Sequence, residues 1–148
     1  MTPQNPNDPT SEEVHEKIRQ DLERYGWTIL STIYDEILCS QTFGLQKNFK
    51  HPEIEVVGLN DEMSCLFLNT LAQRIKMGQQ FTHGSLIDEI IEGYELMLVH
   101  NPLDPQGMPL LEGRLRLIWP DSQHRYPWHQ DCDSGCQVQA QLFSEQMN

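Results

Sequence analysis

The chain has 148 residues, 38% of them apolar, and a net charge of −12 from 22 acidic against 10 basic side chains. That length suits one domain with its own core, so folding needs neither a metal nor a disulfide. Phosphate backbones repel such a charge, so direct nucleic-acid binding is disfavoured, while a basic protein partner is attracted. Solubility alone is the competing explanation of the charge. Apolar runs fall far short of the roughly 18 residues of a membrane span. No basic region followed by an apolar core opens the chain, so no signal peptide is expected. The cysteines Cys39, Cys65, Cys132 and Cys136 are therefore expected as free thiols in a reducing cytosol.

Residues 1–9 carry three prolines and read as a disordered lead-in. Thr10 and Glu13 fit a capping box for a first helix, with Val14, Ile18, Leu22 and Tyr25 at helical spacing up to Gly26. Trp27–Tyr34 reads as a strand, Asp35-Glu36 as a turn, and Ile37–Leu45 as a second, antiparallel strand. Gln46–Lys50 is expected as a loop, and Ile54–Leu59 as a third strand. Asn60 then caps a helix with the stripe Met63, Leu66, Phe67, Leu71 and Ile75, closed near Gly78. Ser85 is expected to cap a shorter helix through Ile87, Ile90 and Ile91. Tyr94–His100 reads as a strand and Asn101–Pro109 as a loop. Gly113–Trp119 alternates, with Leu115, Leu117 and Trp119 on one face and Arg114, Arg116 and Ile118 on the other, as a half-buried strand does. The domain is expected over 10–130, with 131–148 as a polar tail that wraps the surface or frays. Hairpin spacing early and helix–strand alternation later predict an α+β fold: a mostly antiparallel or mixed sheet of about five strands with two or three helices on one face.

His51-Pro52-Glu53 is the first candidate for chemistry. Residues two apart on an extended segment point the same way. His51 and Glu53 can then serve as a base with its orienting carboxylate, or as two metal ligands, with His83 joining them in space. The competing reading is a hydrogen-bonded turn that holds the third strand. Trp119 and Trp128, near Tyr126 and Arg125, are candidate pocket walls, or else a cover for the sheet edge. The tail has the spacing H-x4-H-x2-C-x3-C through His124, His129, Cys132 and Cys136. All four types bind zinc, yet ligands packed so closely leave little chain to close a tetrahedron, so no metal or other cofactor is expected. Nucleophile elbows and phosphate-cradling glycine loops are absent from the sequence.

Gly26-Trp27, Thr42-Phe43-Gly44-Leu45, His51-Pro52-Glu53, Gly58-Leu59, the helix to Gly78, Phe81 with Gly84, Trp119-Pro120-Asp121 and Tyr126-Pro127-Trp128 follow one another in this order. Together they resemble the bacterial domain-of-unknown-function family 4262, over about residues 20–130. The resemblance implies a small α+β bacterial domain and supplies no reaction. Two functions are carried forward. One is a non-catalytic interaction or inhibitor protein, of an immunity or anti-defence type, acting through acidic faces at Glu12–Glu23 and Asp88–Glu95. The other is a small enzyme or a small-molecule or metal binder built on His51, Glu53 and His83.

Overall fold

The computed structural model describes residues 10–111 and 113–141; the expected lead-in 1–9 and the last residues of the tail lie outside them. Helix α1 (Ser11–Arg24) starts at Thr10, whose hydroxyl accepts from the Glu13 N–H while the Glu13 carboxylate takes the Thr10 N–H, each at 3.1 Å. Strands β1 (Thr28–Tyr34) and β2 (Ile37–Phe43) are joined by Asp35 and Glu36, both left-handed at φ 49° and 67°. Two such residues make the tight turn that matches strand twist.

A short helix α2 (Leu45–Phe49) follows, where the polarity of Gln46–Lys50 suggests a loop. Its start has no local capping side chain, so local signals do not reveal it. Strand β3 (Glu53–Val57) leads to α3 (Asp61–Lys76), capped by Asn60 Oδ1 accepting from the Met63 N–H at 2.8 Å. Phe67, Leu68, Leu71, Ala72 and Ile75 face the sheet, and Leu66 is turned outward. The buried face is thus centred one position from the expected stripe.

Leu86–Ile91 is a strand, β4, and not the helix expected after Ser85. It pairs with β5 (Tyr94–Val99) through Ile87 opposite Leu96 and Ile91 opposite Tyr94. Four steps on β4 face two on β5, so a bulge inserts residues. The bulge lets the neighbours Ile90 and Ile91 both pack on the core along with Ile87, a spacing that in the sequence imitates a helical period. Strand β6 (Arg114–Ile118) completes one six-stranded sheet in the order β1-β2-β3-β6-β5-β4. Only the central β3–β6 pair is parallel. The fold is mixed α+β, with one strand more than expected. No described helix is long and apolar enough to cross a membrane.

The core lies between α3 and one face of the sheet, where Ile54, Val56, Leu98, Leu115 and Leu117 meet Phe67, Leu68 and Leu71. The opposite face is also covered at its centre. Helix α4 (Ser134–Gln137) and a following 3-10 turn (Val138–Ala140) pack there, with Cys132, Cys136 and Gln139 buried. Val57, Arg116 and Ile118 on that face are buried too. β6 is therefore buried on both faces, where its alternation suggests a half-buried strand, because the tail covers the second side.

Candidate functional site

The T-F-G-L and H-P-E segments form one construction. Glu53 opens β3 beside the end of β2. Its carboxylate accepts from the Thr42 hydroxyl at 2.9 Å and from the backbone N–H groups of Gly44, Leu45 and Gln46 at 3.1, 3.1 and 3.2 Å. Those are the first N–H groups of α2, which a helix leaves without internal partners, and a carboxylate suits that end of the helix dipole. Thr42 also accepts from the Ile54 N–H at 2.9 Å, so the clasp ties β2, β3 and α2 at one point. Gly44 has φ 116°, and a Cβ there would lie 2.6 Å from the Gly26 carbonyl oxygen, so only glycine fits.

His51 is buried and points elsewhere. Its Nε2 accepts from the Phe81 N–H at 2.9 Å. That fixes the tautomer, so Nδ1 carries the proton and donates to the Pro52 carbonyl at 2.8 Å. His83 has a third setting. Its Nδ1 accepts from the His100 N–H at 2.9 Å and its Nε2 donates to the Pro105 carbonyl. The ring stacks on His100 with centroids 5.7 Å apart. The three candidates thus share no hydrogen-bond partner among the described residues, and each spends its polar atoms on the backbone, Glu53 on the Thr42 hydroxyl as well. A general base needs an open atom aimed at a substrate.

Asp121 fastens the segment that lies between Trp119 and Trp128. The Asp121 carboxylate accepts from the N–H groups of Gln123, Arg125 and Asp133 and from Arg125 Nε, at 2.9, 2.9, 3.1 and 3.0 Å. Burial pushes this carboxyl up, and the backbone N–H groups with the Arg125 guanidinium outweigh it, holding it at about 2. Trp119 donates from its indole to the Val57 carbonyl at 3.0 Å, and its backbone exchanges bonds with the buried Gln139 amide at 2.8 and 2.7 Å. Its ring walls a cleft of about 290 Å³ with Leu59, Met63, Phe67 and Tyr94. Trp128 stacks on Tyr126 at 5.0 Å, and Tyr126 donates to the Glu95 carbonyl at 2.8 Å.

The tail histidines separate as well, while the Cys132 and Cys136 thiols lie side by side. His124 stacks on Tyr94 at 4.7 Å, and His129 Nδ1 accepts from the Tyr126 N–H. Cys132 and Cys136 are buried thiols, and burial pushes both up, away from the thiolate that metal binding requires. No three His, Cys, Asp or Glu side chains gather as a metal site among the described residues.

Sequence reasoning did not single out the Glu55–Arg116 pair. Arg116 is fully buried and donates from Nη2 to Glu55 Oε2 at 3.1 Å, and from Nη1 to the carbonyls of Gln139 and Gln141 at 2.6 Å each. Glu55 and Arg116 are direct partners in the parallel β3–β6 ladder. Their alternation with apolar neighbours was the available signal. It could not show that the tail would bury them.

The ordered motifs now have positions. Glu53, His51 and Asp121 each hold backbone amides, and the glycines allow close approach. The family model for the domain of unknown function (DUF4262) matches residues 21–133. The chain belongs to this family. The DUF4262 region thus runs from the last turn of α1 to the segment fastened by Asp121, and α4 lies beyond it. No curated protein and no solved structure matches the chain.

The two acidic stretches differ in kind. On α1, Lys17 pairs with Asp21 at 2.9 Å, and Arg19 bridges Glu16 and Glu23. On the β4–β5 hairpin, Asp88, Glu89, Glu92 and Glu95 are all exposed, and residues 86–95 contain no lysine or arginine. Only Glu89 has an ion pair there among the described residues, a loose 3.7 Å contact with Arg74.

Proposed function

We propose that this DUF4262 protein is a non-catalytic interaction protein that blocks or captures a partner with a basic surface, in the manner of a cytosolic immunity or anti-defence factor. The observation that carries the reading is the β4–β5 hairpin, four exposed carboxylates on the edge strand, its turn and the start of β5, with no basic residue among them. Such a field accelerates encounter with a positive partner and rejects a negative one. The commitment of His51, Glu53 and His83 to backbone hydrogen bonds supports a binding role over a catalytic one. Charges on an edge strand also discourage self-pairing, so the test must separate a binding role from a protective one.

The test is affinity capture from the native cell at low and high salt, with the wild-type chain and with Asp88, Glu89, Glu92 and Glu95 changed to lysine. A basic protein held at low salt, released at high salt and lost by the variant supports the proposal. Capture that ignores both salt and the substitutions refutes it. A second reading, a small-molecule binder, rests on the cleft beside Trp119. It carries less, because His51, Glu53 and His83 do not line that cleft. A metabolite that copurifies with the wild-type chain and is lost on Trp119→Ala would put it first.

A further inference from the structure

We propose that two copies of this chain pair through β1, antiparallel about a two-fold axis at Ser31, joining two six-stranded sheets into one. β1 is the sheet edge opposite β4. The Leu38 carbonyl accepts from the Gly58 N–H at 3.0 Å, on the β3 side. Ile33, the β1 partner of Leu38, therefore occupies a position without hydrogen bonds to β2, and positions alternate along an antiparallel ladder. The N–H and C=O groups of Ile29, Ser31 and Ile33 thus point to the side of β1 that no other described strand occupies. An open row of this kind is a template for another strand.

The sequence of the edge selects a second copy as that strand. Trp27 to Tyr34 contains no charged residue, and the ladder to β2 is regular over seven pairs. A chain of net charge −12 repels itself almost everywhere, and the carboxylates and bulge of β4 oppose pairing there. About Ser31, antiparallel symmetry sets Ile33 of one copy opposite Ile29 of the other. Ile33 is 67% exposed. Ile29 lies in an apolar groove of about 690 Å³ between α1 and α3, walled by Val14, Ile18 and Trp27. Burying Ile33 in that groove adds apolar area toward the roughly 800 Å² per partner that a stable dimer needs.

Charge complementarity fixes the orientation. At the Trp27 end, Arg24 lies 5.2 Å over Tyr25 and Lys76 lies 5.9 Å over Trp27. At the other end Asp35 and Glu36 are exposed. The two-fold axis brings the acidic end of each strand to the basic end of the other, twice. A parallel pairing would set like charges together. This inference is independent of the partner assigned to the β4–β5 edge.

Sedimentation equilibrium of the full chain is the test. The wild type is expected as a dimer. Ser31→Pro removes an outward N–H and spares the backbone bonds to β2, at the loss of the 2.8 Å Ser31–Ser40 hydroxyl contact, and Ile33→Lys places a charge in the interface from an exposed position. Each should raise the dimer Kd at least about tenfold, with an unchanged far-UV circular dichroism spectrum. Glu36→Arg should weaken the dimer, and adding Arg24→Glu should restore it. A wild-type chain that stays monomeric near millimolar concentration overturns the proposal. So does a dimer that Ile33→Lys leaves intact, since that substitution does not threaten the fold.

Discussion

The two halves of the sheet meet at the parallel β3–β6 pair and are finished by similar devices but opposite edges. On the β1 side, the Glu53 carboxylate gathers three backbone N–H groups and a hydroxyl. On the β4 side, Asp121 gathers three backbone N–H groups and a guanidinium. The edges beyond them differ. β1 is uncharged and regular, and β4 is acidic and bulged. Where carboxylates are spent on backbone amides they build the fold. Where they stand alone on an edge they shape what can approach it. Net charge does not separate these uses, and α1 makes the same point through its internally paired acids.

The seam between the halves is the most sensitive point. Arg116→Ala leaves the buried Glu55 with only its looser 3.6 Å contact to Arg114 and releases the carbonyls of Gln139 and Gln141. A loss of about 3–5 kcal/mol is expected in urea unfolding, with the tail detached in hydrogen exchange. A loss below about 1 kcal/mol would mean that the pair does not join the halves.

The β1-side clasp comes next. Glu53→Ala strands the amides at the start of α2, so about 2–4 kcal/mol of stability should go, with faster exchange at Leu45 and Gln46. If Glu53 served a reaction instead, activity would fall while the melting temperature held.

Reversing the charges of the β4–β5 hairpin should weaken a basic partner at least about tenfold, or roughly 1.4 kcal/mol. Glu16→Gln with Glu23→Gln on α1, both paired with Arg19, should change it less than about twofold, because paired surface charges contribute little. Equal effects at both sites would erase the distinction between the two acidic stretches.

The β4-side clasp gives the gentlest effect. Asp121 sits below its ordinary value of 3.8, at about 2. A depressed carboxyl contributes stability that is full above the unfolded value and is lost as pH falls through the folded one. Wild-type stability should therefore drop between about pH 4 and pH 2. Asp121→Asn should flatten that part of the profile and lower the melting temperature by several degrees at neutral pH.

Local chemistry made much of the fold legible. The capping box at Thr10, the cap at Asn60 and the turn at Asp35-Glu36 act within four residues, and the sequence places them correctly. The alternation in β6 likewise identifies a strand. The sequence also presents the ordered motifs from Trp27 to Trp128 and the acidic run Asp88–Glu95. What it hid depends on contacts between distant segments. α2 is capped by Glu53, which follows it in the chain. The bulge in β4 makes a strand repeat like a helix. The burial of Arg116 awaits a tail folded over the second face of the sheet. His51, Glu53 and His83 look like a site in one dimension because their residue types suit catalysis. Apart from the Thr42 hydroxyl on Glu53, their partners are backbone amides and carbonyls, which carry no side-chain signature, and only the tertiary structure decides which of them each side chain meets.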